Sequence, residues 1–177
     1  MTPDILAACT GSSLAHAALY GDSATYAMSE YGIDSPKRMA AFLAQCGHET
    51  GGLQWMHELW GPTEDQLGYE GRKDLGNTQP GDGQRFMGRG WIMVTGRANY
   101  TDVGGALCID CVNRPDLLEA PEFAPLVGAW WWKTRGLNEL ADAGNFTQIT
   151  RVINGGTNGL ADRLTRWAKA KQTLGVT

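Results

Sequence analysis

No run of Lys or Arg in this chain exceeds two residues, and the formal net charge over 177 residues is −4. A surface that tracks phosphates needs clustered positive charge, so nucleic acid is not an expected partner. No apolar stretch reaches the roughly 20 residues a spanning helix requires. The N-terminal "MTPDILAACTGSSLAHAALYG" has no basic segment ahead of its apolar residues, so neither a Sec leader nor stable membrane insertion is expected. Histidine is scarce, with three, and cysteine has four members: Cys9, Cys46, Cys108 and Cys111. The "CIDC" pair could close a disulfide or supply half of a zinc site, but a closed zinc site needs about four ligands and neither a second CxxC nor an HxxxH exists. The expectation is free thiols, cytosolic synthesis, no metal and no cofactor. Repeats and low-complexity linkers are also missing, which leaves one globular domain over residues 1–177.

What is present is glycine, 24 of them, and a well-marked helix. In "SPKRMAAFLAQ" Ser35 suits an N-cap and Pro36 the first helical position, with apolar residues at Met39, Phe42, Leu43 and Cys46. Continuing that stripe lands on Glu49, followed at once by Gly51 and Gly52 as a stop. A carboxylate that ends an apolar face is partly desolvated and sits at the negative end of the helix dipole. Both effects favour the protonated form, so Glu49 is a candidate proton donor. The bland alternative is a glutamate fraying into solvent.

Upstream, "DILAACT" and "DSATYAMSEYGI" read as two short helices divided at Gly21. Downstream, residues 53–90 are rich in Gly, Pro, Asn and Asp without sustained periodicity, the pattern of a long functional loop with room for a short hairpin. A helix is expected from near Asn99, another from about Glu122 carrying Trp130, Trp131 and Trp132, and a helix, glycine turn and helix close the chain. Three successive tryptophans cannot share one helical face. One or two fill a core, and a remaining one could line a groove where sugars stack.

Three motifs in order, "AAFLAQCGHETGG", "GDGQRFMGRGWIMVTGRANY" and "RVINGG", resemble the family 19 glycoside hydrolases, especially the compact bacteriophage endolysin members. The similarity runs from about Ile33 to Trp167. It implies a mainly α, lysozyme-like helical domain in which a loop-rich insert, about 53–90, forms a smaller lobe and a substrate cleft. It also implies inverting hydrolysis of a β-1,4 bond beside an N-acetylated amino sugar.

Under that resemblance Glu49 in "HETGG" is the general acid. Glu58 in "MHELW", nine residues on, is the general base, with Glu64 and Glu70 as rivals in the same loop. Thr95 in "IMVTGR" holds the attacking water, since a hydroxyl can accept from water and donate to a carboxylate. Arg89 in "GRG", Asn154 in "INGG", His48, Tyr100 and Arg163 are implied in substrate binding or its support. One departure is plain: many members read "IQLT" where this chain has "IMVT", so Met93 stands in place of a sugar-directed glutamine.

The expected function is an endolysin that cuts peptidoglycan glycan strands for host lysis, held in the host cytoplasm before release and acting in the periplasm. It would be a monomer and would need a separate membrane-permeabilising partner. A small chitinase with the same machinery, a lytic transglycosylase and a non-catalytic amino-sugar binder are the rivals. Acid, base and water-orienting hydroxyl together argue against binding alone.

Overall fold

Three helix starts near the N-terminus share one grammar. Thr2, Ser13 and Ser35 each sit in extended backbone and accept a hydrogen bond from the amide three residues on, opening α1 (Pro3–Thr10), α2 (Leu14–Glu30) and α3 (Pro36–Glu49). These elements come from a computed structural model describing residues 1–176. Helix α3 is the centre of the molecule. Every residue from Ala40 to Gly47 is buried, on all faces rather than along the single stripe expected from its sequence. Gly47 makes that possible against α1, because a Cβ there would lie 2.2 Å from the Thr10 carbonyl oxygen.

The chain continues through α4 (Glu64–Leu67), α5 (Asp82–Arg85), α6 (Arg97–Leu107), α7 (Ala124–Thr134), α8 (Leu137–Asp142), α9 (Phe146–Asn154) and α10 (Leu160–Thr173). Short 3-10 turns lie at Lys73–Leu75 and Pro115–Glu119. Gly21 does not divide two helices. It lies inside α2, buried, with the Met1 carbonyl 3.6 Å from where its Cβ would be. The expected loop at 53–90 holds two one-turn helices and a 3-10 turn, so its turns are locally capped rather than irregular throughout. No helix among the described residues is long and apolar enough to cross a membrane.

Two apolar clusters divide the interior. The larger joins α1, α2, α3, α7, α8, α9 and α10 around Phe42, Trp91 and Trp132. The smaller comprises Phe86, Val94, Tyr100, Val103, Cys111, Leu118 and Val127, drawing on α6 and the 115–119 turn as well as the loop-rich segment. Residues 88–95 run between them. Trp91 and Ile92 enter the larger cluster, Trp91 edge-on to Tyr20 at 5.7 Å between ring centres, while Val94 enters the smaller. Gly90, at φ 100°, permits the turn, and a Cβ there would strike Val127 at 2.6 Å.

The tryptophans of α7 are structural. Trp132 is buried and donates to Asn138 Oδ1 at 2.9 Å, Trp130 packs on the smaller cluster, and the Arg135 guanidinium covers Trp131 at 4.0 Å. Of the three, Trp132 is the one committed to the core, while Trp130 and Trp131 stay partly exposed. Cys108 and Cys111 are unbonded, with the buried Cys111 thiol 3.0 Å from the Tyr100 carbonyl oxygen.

The smaller cluster is tied down by one ion pair. Asp82, 2% exposed, receives Arg97 Nε at 2.9 Å and Nη2 at 2.5 Å, and also the Thr78 and Gln79 amides. The Arg97 hydrogen bond, outweighing burial, holds the Asp82 carboxyl below the usual range. A depressed folded pKa stabilises above the unfolded value of about 3.9 and stops doing so as pH falls through the folded value. Asp82→Asn should therefore cost about 2–4 kcal/mol near neutrality, less than a fully buried pair because Arg97 is partly exposed. Denaturant titrations across pH should show that gap constant above about pH 5 and narrowing below about pH 4.

Candidate active site

Glu49 closes α3, and the next five residues fold back tightly. Gly51, Gly52 and Leu53 all have positive φ, and the Thr50 hydroxyl accepts from the Leu53 amide at 2.8 Å. This places the Glu49 carboxylate against α10, where Arg163 Nη2 lies 2.5 Å from Oε1. Arg163 is 1% exposed and Glu49 20%. The Glu49 carboxylate thus faces a buried cation that its place at the end of an apolar stripe did not disclose.

Arg163 is held on its other nitrogens too. Nη1 donates to Gln45 Oε1 at 2.5 Å and Nε to the Asn158 carbonyl at 3.2 Å. Beside it, His48 Nδ1 is 2.7 Å from Asp162 Oδ2, which also accepts from Arg166 Nε. Burial works against the Asp162 charge, but the hydrogen bonds from Arg166 and His48 outweigh it and hold the carboxyl below its usual range. The backbone at Gly159 closes over the His48 ring, where a Cβ would approach to 2.3 Å. Asn154 is exposed at the end of α9, just before Gly155 turns the chain into this 155–159 loop.

Glu58 lies in an extended segment paired with residues 88–90. Its amide donates to Gly88 O at 3.0 Å and Gly90 N donates to Met56 O, while Arg89 and Val94 exchange bonds on the other side. His57 stands opposite Arg89 and Arg89 opposite Val94, so Glu58 and Thr95 each follow directly on a bridged residue. The Glu58 carboxylate accepts from Gly88 N at 2.5 Å, Gln66 Nε2 at 3.2 Å and Tyr69 hydroxyl at 3.3 Å. Burial and then the Glu58 charge push the Tyr69 phenol upward, so it remains a donor. Three of about four acceptor positions on the carboxylate are filled, leaving one for a further donor.

The opposite face of the same segments is clamped by Glu119. It accepts from Arg89 Nε at 2.5 Å through Oε1, and its Oε2 lies 2.8 Å from His57 Nδ1. Arg89 Nη1 also donates to the Tyr100 hydroxyl at 2.8 Å, and that hydroxyl donates to Met87 O. Tyr100, fully buried, and Arg163, 1% exposed, have no surface for a sugar, and Arg89 is 9% exposed. Each contacts a neighbour from behind: Arg89 meets Glu119 and Tyr100, Tyr100 meets Met87 O, and Arg163 meets Gln45 and Glu49. His48 and Asn154 keep exposed surface.

The rivals to Glu58 have other places. Glu70 caps the start of α5, accepting from Gly81 N and Gly83 N, and Glu64 is exposed in the first turn of α4. Sequence reading missed Gln45, Gln66, Tyr69, Glu119 and Asp162. Gln66 had a signal: Thr63–Gln66 is a capping box, and the glutamine that caps α4 is the one that reaches Glu58.

A family described as Chitinase class I matches residues 13–145, most of the chain. The chain belongs to glycoside hydrolase family 19. This hydrolase is 29% identical over 159 residues to a Haemophilus influenzae protein described as glycosyl hydrolase family 19 domain-containing, covering 75% of this chain and 78% of that one. It is 30% identical over 188 residues to an endochitinase of Solanum tuberosum, covering 82% of this chain and 55% of the relative. The hydrolase spans about half the length of the Solanum tuberosum endochitinases it matches. Among solved structures it resembles a bacterial family 19 chitinase with TM-score 0.71 and 28% identity, covering 88% of this chain and 86% of that one. Chitinase C from Streptomyces griseus HUT6037 gives TM-score 0.70 and 28% identity, covering 88% and 70%. The mainly α, lysozyme-like fold expected from the motifs is the fold of this hydrolase.

Two outcomes follow from the two carboxylates. Glu49→Gln keeps the shape but withdraws the counter-charge from a buried guanidinium. It should lower stability at neutral pH by about 1–3 kcal/mol, less than a fully buried pair because Glu49 is partly exposed, as thermal or urea unfolding would read. In Gly88→Ala the new Cβ would sit 2.6 Å from Glu58 Oε1, forcing that side chain aside. This variant should remain folded and lose at least about 10²-fold in turnover, the scale of a displaced general base, measured by reducing-end release.

Proposed function

We propose that this hydrolase is an endolysin that cleaves β-1,4 bonds in the glycan strands of bacterial peptidoglycan with inversion at the anomeric carbon. The observation that carries the reading is the state of Glu58 in a family 19 chain: fixed by three donors with one acceptor position left. A water there can be held by one hydrogen bond to Glu58 and one to Thr95, which follows Val94 on the segment bridged to Arg89.

The reaction then balances simply. Glu49 gives its proton to the leaving glycosidic oxygen as the bond to the anomeric carbon breaks. The water oxygen bonds to that carbon from the opposite face while Glu58 takes the water proton. Exchange with solvent restores both carboxyl groups. Inversion needs the two carboxyls on opposite sides of the ring with room for the water, roughly 6.5–9.5 Å apart. Glu49 on the α3–α10 side and Glu58 on the smaller cluster's side suit that division. Arg163 neutralises Glu49 after proton transfer. His48 and Asn154 are the exposed groups suited to the N-acetyl amide of the sugar.

Peptidoglycan is favoured over chitin by the open glycines of the 53–90 segment that carries Glu58. Gly61, Gly71 and Gly81 have open space where a Cβ would be, which leaves room for a lactyl-peptide branch. Met93, in place of an amide, gives up one hydrogen bond to plain chitin, about 0.5–1.5 kcal/mol. The second reading is a chitinase, favoured by relatives whose names are endochitinases. In the endolysin setting the enzyme is a monomer that waits in the host cytoplasm and reaches the wall after a separate factor opens the membrane.

Digestion of purified peptidoglycan and of N-acetylglucosamine hexamer, with mass analysis of new ends, separates the readings. The expected result is faster peptidoglycan cleavage, new reducing ends and no anhydro sugar. Chitin turnover with inert peptidoglycan selects the chitinase, and anhydro ends would refute hydrolysis.

A further inference from the structure

Behind Glu49 lies a directed series of buried hydrogen bonds that crosses from α9 through α3 to α10. The Thr150 hydroxyl donates to Phe146 O at 3.2 Å, so its oxygen is left to accept from Gln45 Nε2 at 2.8 Å. With its nitrogen committed to Thr150, the Gln45 amide turns its oxygen to Arg163 Nη1 at 2.5 Å. Arg163 Nε is committed to Asn158 O, and Nη2 remains for Glu49. Thr150 and Gln45 are fully buried, in positions where apolar side chains would avoid the cost of desolvating a hydroxyl and an amide.

We infer that Thr150 and Gln45 are positioning residues for the acid of the reaction. Thr150 sets which way the Gln45 amide faces, and the amide sets where the guanidinium meets Glu49. A reversed amide would place its NH₂ against Arg163, donor against donor, and the guanidinium would have to swing away from Glu49. Neither residue reaches substrate. The inference rests on the reading of Glu49 as the acid.

Thr150 permits an unusually clean test, because its two candidate roles order two variants oppositely. Thr150→Val keeps the volume and deletes the hydroxyl, whereas Thr150→Ser keeps the hydroxyl and deletes a methyl. If Thr150 only packs, Ser is the damaging change. If it orients Gln45, Val is. On peptidoglycan and on N-acetylglucosamine hexamer, Thr150→Val should lose about five- to tenfold in kcat with KM within about twofold, and Thr150→Ser should stay within about twofold of the parent. A wild-type kcat for the Val variant, or a Ser variant slower than Val, would overturn the inference.

Two further arms keep the test independent. Carbon-13 NMR titration of the Glu49 carboxyl needs no turnover: its midpoint should move in Thr150→Val and superimpose on wild type in Thr150→Ser, and coincidence of all three refutes the relay. Gln45→Glu puts a second carboxylate on Arg163 and should carry the Glu49 midpoint to higher pH, whereas an unmoved midpoint counts against the inference. Glu49→Gln is run alongside. If it still turns over, the acid assignment fails whatever the relay variants do.

Discussion

A guanidinium with 1% exposure has to find partners for its charge and its donors, and most of the larger lobe is arranged around that demand at Arg163. Its hydrogen-bond acceptors are Gln45 on α3 and the Asn158 carbonyl in the loop before α10, and Glu49 on α3 supplies the opposite charge. Meeting them fixes the register of α10 against α3 and draws the 155–159 loop over His48. The apolar contacts between these helices supply area, but area is indifferent to sliding by a turn. The guanidinium is not, because a shift of one turn would strand it.

The smaller cluster solves a different problem. Its core is small, and much of the chain feeding it is glycine-rich, so side-chain packing alone gives little registration. Trp91 and Ile92 plug residues 88–95 into the larger core while Val94 holds the smaller one. Glu119 then bolts His57 to Arg89 across the paired segments. Glu58 and Thr95, next along the chain from the bridged His57 and Val94, inherit their places from these anchors.

Legibility followed locality. The start of α3 was plain from Ser35 and Pro36, and Glu49 from its place at the end of an apolar run, because both are properties of neighbours three or four residues apart. Gly21 misled for the same reason: a local breaker is outvoted when the helix around it is buried on partners. Arg163 and Glu119 as charge partners were hidden, since each meets its carboxylate or cation across 114 and 30 or more positions of chain that no periodicity connects. Gln66 lay between the two cases. Its capping box was written in "TEDQ", but its second set of hydrogen bonds, to Glu58 and Leu59, depends on where that helix is delivered. Glu58, Thr95, Arg89 and Asn154 were reached through the motifs, not through their own spacing, and the family match over residues 13–145 takes in the first two motifs but stops short of "RVINGG".

The two carboxylates are held by different kinds of donor. Glu49 meets a side chain that a codon change can remove. Glu58 is held at its shortest contact by the main-chain N–H of Gly88, which every residue other than proline also carries. A side-chain deletion scan would find the first holder and pass over the second, and replacing the peptide nitrogen of residue 88 with an ester oxygen is what would expose it. Chemical information about this site is thus stored partly in the path of the backbone, and the letter at position 88 records it only as the room a glycine leaves for Glu58.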